Sequence, residues 1–483
     1  MGYRLREPVR ESKFSSELRV EALSRVVGDD VVRVVLESEG VREERERKLT
    51  MRVVVYLVIA MNIFTHVSMG HVMRKLSQGL RFIWHDPEYR LPTEPALTYR
   101  RYQLGARPLA ALFHQVCKPL ATPATNGAYL FGLRLMAIDG TTEDVPDTPE
   151  NLVAFGKHNG GRGDSAFPQV QAVSLAECGT HAIVDAGFWP CHTSEEVGAR
   201  RLLRSVGTGM LVMIDRSLYS YDFAVGIRGR GAHVLARMPA HVKPKPVRTL
   251  PDGTYLAWIY PAQRKRRKSE RTLVRIVEYT LTDPSLPGCG QRYRLVTSLL
   301  SHTEYPALEL ACGYHERWEI EITIDETDTH QRLAGRTLRS LKPVGVIQEL
   351  YGLLIAHYAI RAVMHEAALA ADIDPDRLSF VHAVRVTADA IAEFQMIAPE
   401  QLPQLYARLL RDIAAKRLPE RRVRSNPRVV KRKMSNFRLK RRGGEPPPQP
   451  AAASWRDAVA LSGQHTTPNV STDAPAKTQL CLI

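Results

Sequence analysis

Two stretches, LRLMAIDGT (133–141) and GMLVMIDRS (209–217), share one ending: a short apolar run, an aspartate, then a turn-forming pair. Runs of this length bounded by such turns read as buried strands. An acid at the carboxyl end of a buried strand sits at the sheet edge, where ligand crevices form in α/β proteins. If the two strands lie side by side, Asp139 and Asp215 meet there. Carboxylates that close cannot both stay ionised without a cation between them, and an oxygen-seeking divalent ion, Mg2+ or Mn2+, satisfies both. Taken singly, either aspartate reads more readily as a turn cap.

Outward from this pair the pattern is that of a mixed α/β sheet. FPQVQAVSLAEC and THAIVDAGFWP form strands two and three, Ser194 caps a helix in SEEVGARRLLRSV, and GAHVLARMP (231–239) adds a strand. Hairpin strands followed by a helix and a buried parallel strand define that class. Between about 237 and 300 the texture is strand and turn, a β-rich insertion that contains the basic run RKRRK (264–268). Residues 1–128 have helical periodicity, with Asp29 as an N-cap. There Arg100, Arg101 and Arg107 suggest a helical N-terminal DNA-contacting domain. A catalytic domain over 129–345 follows, then C-terminal helices and a basic segment over 346–442. Residues 416–442 hold 13 Lys or Arg against the single acid Glu420. From 443 to 483 the Pro, Ala, Ser and Thr composition predicts a disordered tail.

Composition narrows the partner. Lys plus Arg number 67 and Asp plus Glu 51, a formal net charge of +16 that suits a polyanion, nucleic acid first. The six cysteines form no C-x-x-C pair, which fits a reducing compartment. Cys191 and His192 have no second pair at zinc-site spacing, which argues against a structural metal. The greasiest stretch, Val53 to Phe64, is too short to cross a bilayer, and the N-terminus has no apolar leader. The expected localisation is cytoplasmic and nucleoid-associated, with no membrane. No phosphate-binding loop or nucleophile elbow occurs.

A third carboxylate must come from farther along the chain. YHERWEIE (314–321) reads as a helix, and offsets of 3, 4 and 7 put Tyr314, Arg317 and Glu321 on one face. Trp318 points elsewhere and is expected in the core. Glu316, Glu319, Asp325 and Glu326 lie on the same segment, so periodicity alone does not select Glu321.

Taken together, these segments resemble the insertion sequence 4 family of bacterial DDE transposases, from about residue 14 to 442. VVVYLVIAMNIF and MRKLSQGLRFIW resemble the family's N-terminal domain, and AIDGT, MIDRSLYS and YHERWEIE its three catalytic segments. RSNPRVVKRKMSNF resembles its basic C-terminal stretch. The resemblance implies an RNase H-like catalytic core with a β-strand insertion, preceded by a helical N-terminal domain and followed by C-terminal helices. The family's helix signature is Tyr, two residues, Arg, three residues, Glu, six residues, Lys. Tyr314, Arg317 and Glu321 fit its first three positions, which assigns Glu321 as the catalytic glutamate.

Cut-and-paste transposition is then implied, by phosphodiester hydrolysis and strand transfer. Two Mg2+ ions, with Mn2+ substituting, would be held by Asp139, Asp215 and Glu321. Tyr314 and Arg317 would grip phosphates, and Arg264, Lys265, Arg266, Arg267, Arg428, Lys431, Arg432 and Lys433 would track the DNA backbone. The implied partners are double-stranded DNA with terminal inverted repeats and target DNA, bound by a homodimer. Where the family cuts through a hairpin, a flipped base stacks on an aromatic residue of the insertion, for which Trp258 and Tyr293 are candidates. The lysine position carries Asp328. A carboxylate there repels phosphate and predicts impaired cutting, with Arg332 or Lys342 as partial replacements. The competing readings are a transposase-derived DNA-binding protein that no longer cuts, another RNase H-like endonuclease, and a structural nucleoid protein.

Overall fold

The computed structural model describes residues 2–419 apart from 19, 42, 44–47, 161–162, 264–265, 287–288, 333–334 and 336, and beyond them 429–430, 438–439, 452 and 454–462. Its centre is a mixed sheet. Leu133–Asp144 (β1), Gln169–Glu177 (β2) and Ala182–Pro190 (β3) form an antiparallel meander. Met210–Ile214 (β4) lies parallel to β1, and His233–Arg237 (β5) parallel to β4. β4 is an unbroken apolar run, as a strand covered on both faces requires.

The insertion supplies Pro246–Thr249 (β6), Tyr255–Ile259 (β7), Thr272–Leu281 (β8) and Arg292–Thr297 (β9). Antiparallel pairing of β9 with β5 makes it an extension of the central sheet, in the order β3-β2-β1-β4-β5-β9-β8-β7-β6.

Helices cover this sheet. Met51–Met61 (α1) is buried along its whole length. Glu195–Arg201 (α2) follows β3, with the Ser194 side chain accepting from Val197 N. Trp318–Asp325 (α3) continues a helical segment that begins at Ala307 and passes through a 3-10 turn at Tyr314–Arg317. Pro343–Ala371 (α4) is long and apolar enough to cross a membrane, and 78% of its most apolar window is buried inside the protein. α4 packs on α1, on Arg107–Val116, on Leu402–Ala414 and on β3, which accounts for apolar residues on every side.

Two expectations are corrected here. Arg100 and Arg101 do not face outward for DNA; each is 8% exposed. Arg100 donates to Leu49 O at 3.0 Å and pairs with Glu43, while Arg101 donates to Ser340 Oγ and Gly345 O at 3.1 and 3.3 Å. They tie the N-terminal helices together and to the start of α4. Within the stretch expected to be disordered, residues 454–462 form defined structure. Ser454 and Asp457 form a reciprocal capping box on the turn Trp455–Ala458, and Val459–Leu461 (β10) pairs antiparallel with β8. β10 takes the stretch of the β8 edge that β7 leaves open, covering backbone groups that would otherwise be unpaired.

Candidate active site

The strand carrying Asp139 runs on to Asp144, so this aspartate is mid-strand and not at a strand end. The crevice forms because the neighbour stops. β4 pairs with β1 only as far as Ala137 opposite Met213, and the same register two residues on sets Asp139 level with Asp215. Asp215 turns back onto its own loop, accepting from Ser217 N, Ser217 Oγ and Leu218 N at 2.9 Å each. The turn-cap reading and the crevice reading therefore both hold for it.

Glu321 reaches the crevice from α3, and Arg317 joins it to Asp139. The guanidinium donates from Nη2 to Glu321 Oε1 at 2.7 Å and from Nη1 to Asp139 Oδ2 at 3.3 Å. Burial raises the carboxyls of Asp139 and Glu321 above the usual range, and Arg317 opposes the rise at both. Of the acids on the segment, Glu319 and Glu326 are buried around His181, away from this arginine. Tyr314 is placed differently from expectation. Its phenol is buried, pushed up to about 12 chiefly by desolvation, and donates to Ile214 O at 3.2 Å. It braces the residue before Asp215 and does not point outward to a phosphate. Trp318, expected in the core, is 40% exposed. It lines a cavity of about 600 Å3 together with Glu321, Asp325, His330 and Phe380.

A fourth acid in the crevice escaped sequence reasoning. Glu195, the first residue of α2, hydrogen-bonds Asp139, and burial followed by the charge of Asp139 pushes its carboxyl up to about 7. Gly140 makes the approach possible, since a Cβ there would lie 2.8 Å from Glu195 Cγ and Oε1. In sequence, Glu195 looks like an ordinary acid in a helix's first turn. The glycine after Asp139 was the available signal.

Asp328 sits on the helical turn after α3, against the strand that carries Asp139. The helix switches to π geometry over Glu326–Gln331. Asp328 Oδ2 accepts from Thr141 Oγ1 at 3.2 Å, and burial next to Glu143 pushes its carboxyl up to about 8. Its carboxyl is thereby held toward the neutral form, which weakens the phosphate repulsion expected of it. Arg332, considered as a replacement for lysine, is paired with Glu143, and Lys342 lies over the Tyr102 ring.

Among the DNA-contact candidates, Arg266 is paired with Asp222 at 2.7 Å and Glu270 at 2.6 Å, while Arg267 is exposed. Arg264, Lys265, Arg428, Lys431, Arg432 and Lys433 lie outside the described residues. Tyr293 is buried between Tyr279 and Arg237, which removes it as a partner for a flipped base; Trp258 is half-buried under Arg271.

Residues 130–359 match the family model described as Transposase DDE domain, and residues 17–114 the one described as Insertion element 4 transposase N-terminal. With the carboxylate crevice, the first match defines a DDE transposase, a metal-dependent enzyme that cuts and joins DNA. The transposase InsG of insertion sequence element IS4 from Escherichia coli (strain K12) is 28% identical over 404 residues, spanning 82% of this chain and 88% of InsG. The chain belongs to the insertion element 4 family of transposases. Among solved structures it is similar to the piggyBac transposase synaptic complex with hairpin DNA, at a TM-score of 0.41 and 12% identity, over 87% of this chain and 88% of that one. That likeness is too distant to carry weight.

Proposed function

We propose that Asp139, Asp215 and Glu321 are the catalytic carboxylates and that they hold two Mg2+ ions, replaceable by Mn2+, for cut-and-paste transposition of an insertion sequence. The observation that carries this reading is the register that levels Asp139 with Asp215 while Arg317 joins Asp139 to Glu321. The donor set fits the ions: carboxylate oxygens from three separate elements suit a hard divalent cation, and a half-buried guanidinium already answers their charge. Bound there, the ions would lower the pKa of water and offset charge on the transition state.

The chain's own groups set the geometry. Ser217 and Leu218 N orient Asp215, Tyr314 fixes the end of β4, and Arg317 would turn from the carboxylates to a phosphate oxygen. Three antiparallel strands followed by two parallel ones support an RNase H-like core, with the β-rich block of about 237–300 as its insertion. We assign DNA contacts to the segment over 416–442 and expect terminal inverted repeats as the substrate, a homodimer as the working unit and association with the nucleoid. The test incubates purified protein with labelled end DNA and Mg2+. End-specific nicks followed by joining to target DNA, both lost in Asp139→Asn and Asp215→Asn, are expected. Cleavage without joining points to an endonuclease, and binding without cleavage to a protein that no longer cuts.

A further inference from the structure

The turn after β3 carries Cys191 and His192, which have no partner pair nearby in sequence. The fold brings them one from a distance. Cys191 N donates to Phe155 O at 2.9 Å, and Gln169 N to Gly156 O at 2.9 Å, which sets the segment after Phe155 against this turn. Gly156 has a φ of +75°, and a Cβ on it would lie 3.1 Å from His192 Nε2 and 3.4 Å from Cys191 Sγ. Glycine thus lets the chain pass close enough for His158 to join them. The ligating atoms of His158, Cys191 and His192 lie within 4.8 Å of one another. Tetrahedral zinc with ordinary Zn–N and Zn–S bonds separates such atoms by about 3.3–3.6 Å, so a small rotation of two exposed imidazoles closes the set.

We propose that His158, Cys191 and His192 bind one Zn2+ ion that fastens the stretch after Phe155 to the turn leading into α2. Two imidazoles and one thiolate select a borderline-soft ion over Mg2+, so this site and the carboxylate crevice take different metals. Among the described residues, neither imidazole has a hydrogen-bond partner; their rings meet edge to face at 6.1 Å. Binding takes Cys191 as the thiolate, its proton passing to solvent. Another close set, His181, Glu319 and Asp376, already has the Arg361 guanidinium against His181 and offers no such vacancy of charge. The consequence of the staple is positional. Glu195, beside Asp139, begins the helix three residues after His192.

The full chain, purified without chelator from zinc-supplemented medium, should retain one equivalent of Zn2+ after gel filtration in Mg2+ buffer. Stripped and titrated with Co2+, it should develop a cysteinate-to-cobalt charge-transfer band. Cys191→Ser should abolish the band, and His158→Gln, at an exposed position that leaves folding intact, should weaken Zn2+ affinity by more than about 10-fold. Asp139→Ala should change neither. Absence of retained zinc and of the band in the unaltered protein, or a band and affinity that persist in both variants, overturns the proposal.

Discussion

The indole of Trp455 lies flat on the imidazole of His315, with ring centroids 3.6 Å apart and planes 7° from parallel. His315 stands between Tyr314 and Arg317, so the turn Trp455–Ala458 is clamped onto the helical turn that supports the crevice. Burial, with Arg237 and Arg317 nearby, holds this imidazole down to about 3. A histidine buried neutral, but free to charge when unfolded, costs stability as pH falls from its ordinary value of about 6.5 toward the folded one. Trp455→Ala removes the ring's cover. It should raise the His315 pKa by at least about one unit and lower stability by about 1–2 kcal/mol. Histidine NMR titration and denaturant unfolding measure both, and a His315 signal that titrates unchanged rejects the coupling.

Arg317 is the counter-ion of two acids at once. Arg317→Ala leaves Asp139 and Glu321 facing each other with no cation between them. The metal-free variant should be less stable by about 1–3 kcal/mol, in keeping with loss of hydrogen bonds to charged groups that retain some solvent. Mg2+ should then raise its Tm by more than it raises that of the unaltered protein, because the ion becomes the main source of positive charge. DNA cleavage should fall by about 100-fold or more, the usual cost of losing a charge-stabilising donor. Equal Mg2+-induced shifts in the two proteins would mean that Arg317 and the ion do not answer the same charge.

The strands and both aspartates were legible because buried parallel strands are written as continuous apolar runs, and LRLMAID and GMLVMID have few other readings. What the sequence hid were features set by distant neighbours. Arg100 and Arg101 are buried because Leu49 O, Ser340 and Gly345 O receive them, and no local pattern announces that. Counting seven from Glu321 to Asp328 assumes α geometry, which the π turn breaks. The tail's composition reads as disorder, yet SWRDAVAL contains a capping box followed by a strand that pairs with the open edge of β8. His158 and Cys191 are 33 positions apart, and only the fold makes them neighbours.

Asp328 gives a prediction opposite to the one its spacing invited. Burial and the neighbouring Glu143 push its carboxyl up to about 8, toward the neutral form. Asp328→Asn, which keeps the shape and removes the proton equilibrium, should change stability by less than about 1 kcal/mol and leave cleavage intact. Asp328→Lys should not improve DNA binding. It would bury an ammonium against Thr141 beside the Arg332–Glu143 pair and lower stability by about 3 kcal/mol or more. Thermal melts and end-DNA binding of the two variants decide it; tighter DNA binding by the lysine variant, at unchanged Tm, would restore the phosphate-contact reading.

Glu195 carries the sharpest pH signature. Burial first, then Asp139 and Asp215, push its carboxyl from 4.5 up to about 7. A group whose folded pKa exceeds its unfolded value contributes stability that is full below the unfolded value and is lost as pH rises through the folded one. The metal-free protein should therefore lose this contribution between about pH 4.5 and 7, while Glu195→Gln, neutral throughout, should not. His315 adds a slope of opposite sign over much of the same range, so the difference between the two proteins isolates Glu195. Mg2+ favours the ionised crevice and should shrink that difference. Unfolding free energies measured against pH, with and without Mg2+, provide the comparison. Parallel curves for the two proteins in the absence of metal would place the shared proton on Asp139 instead.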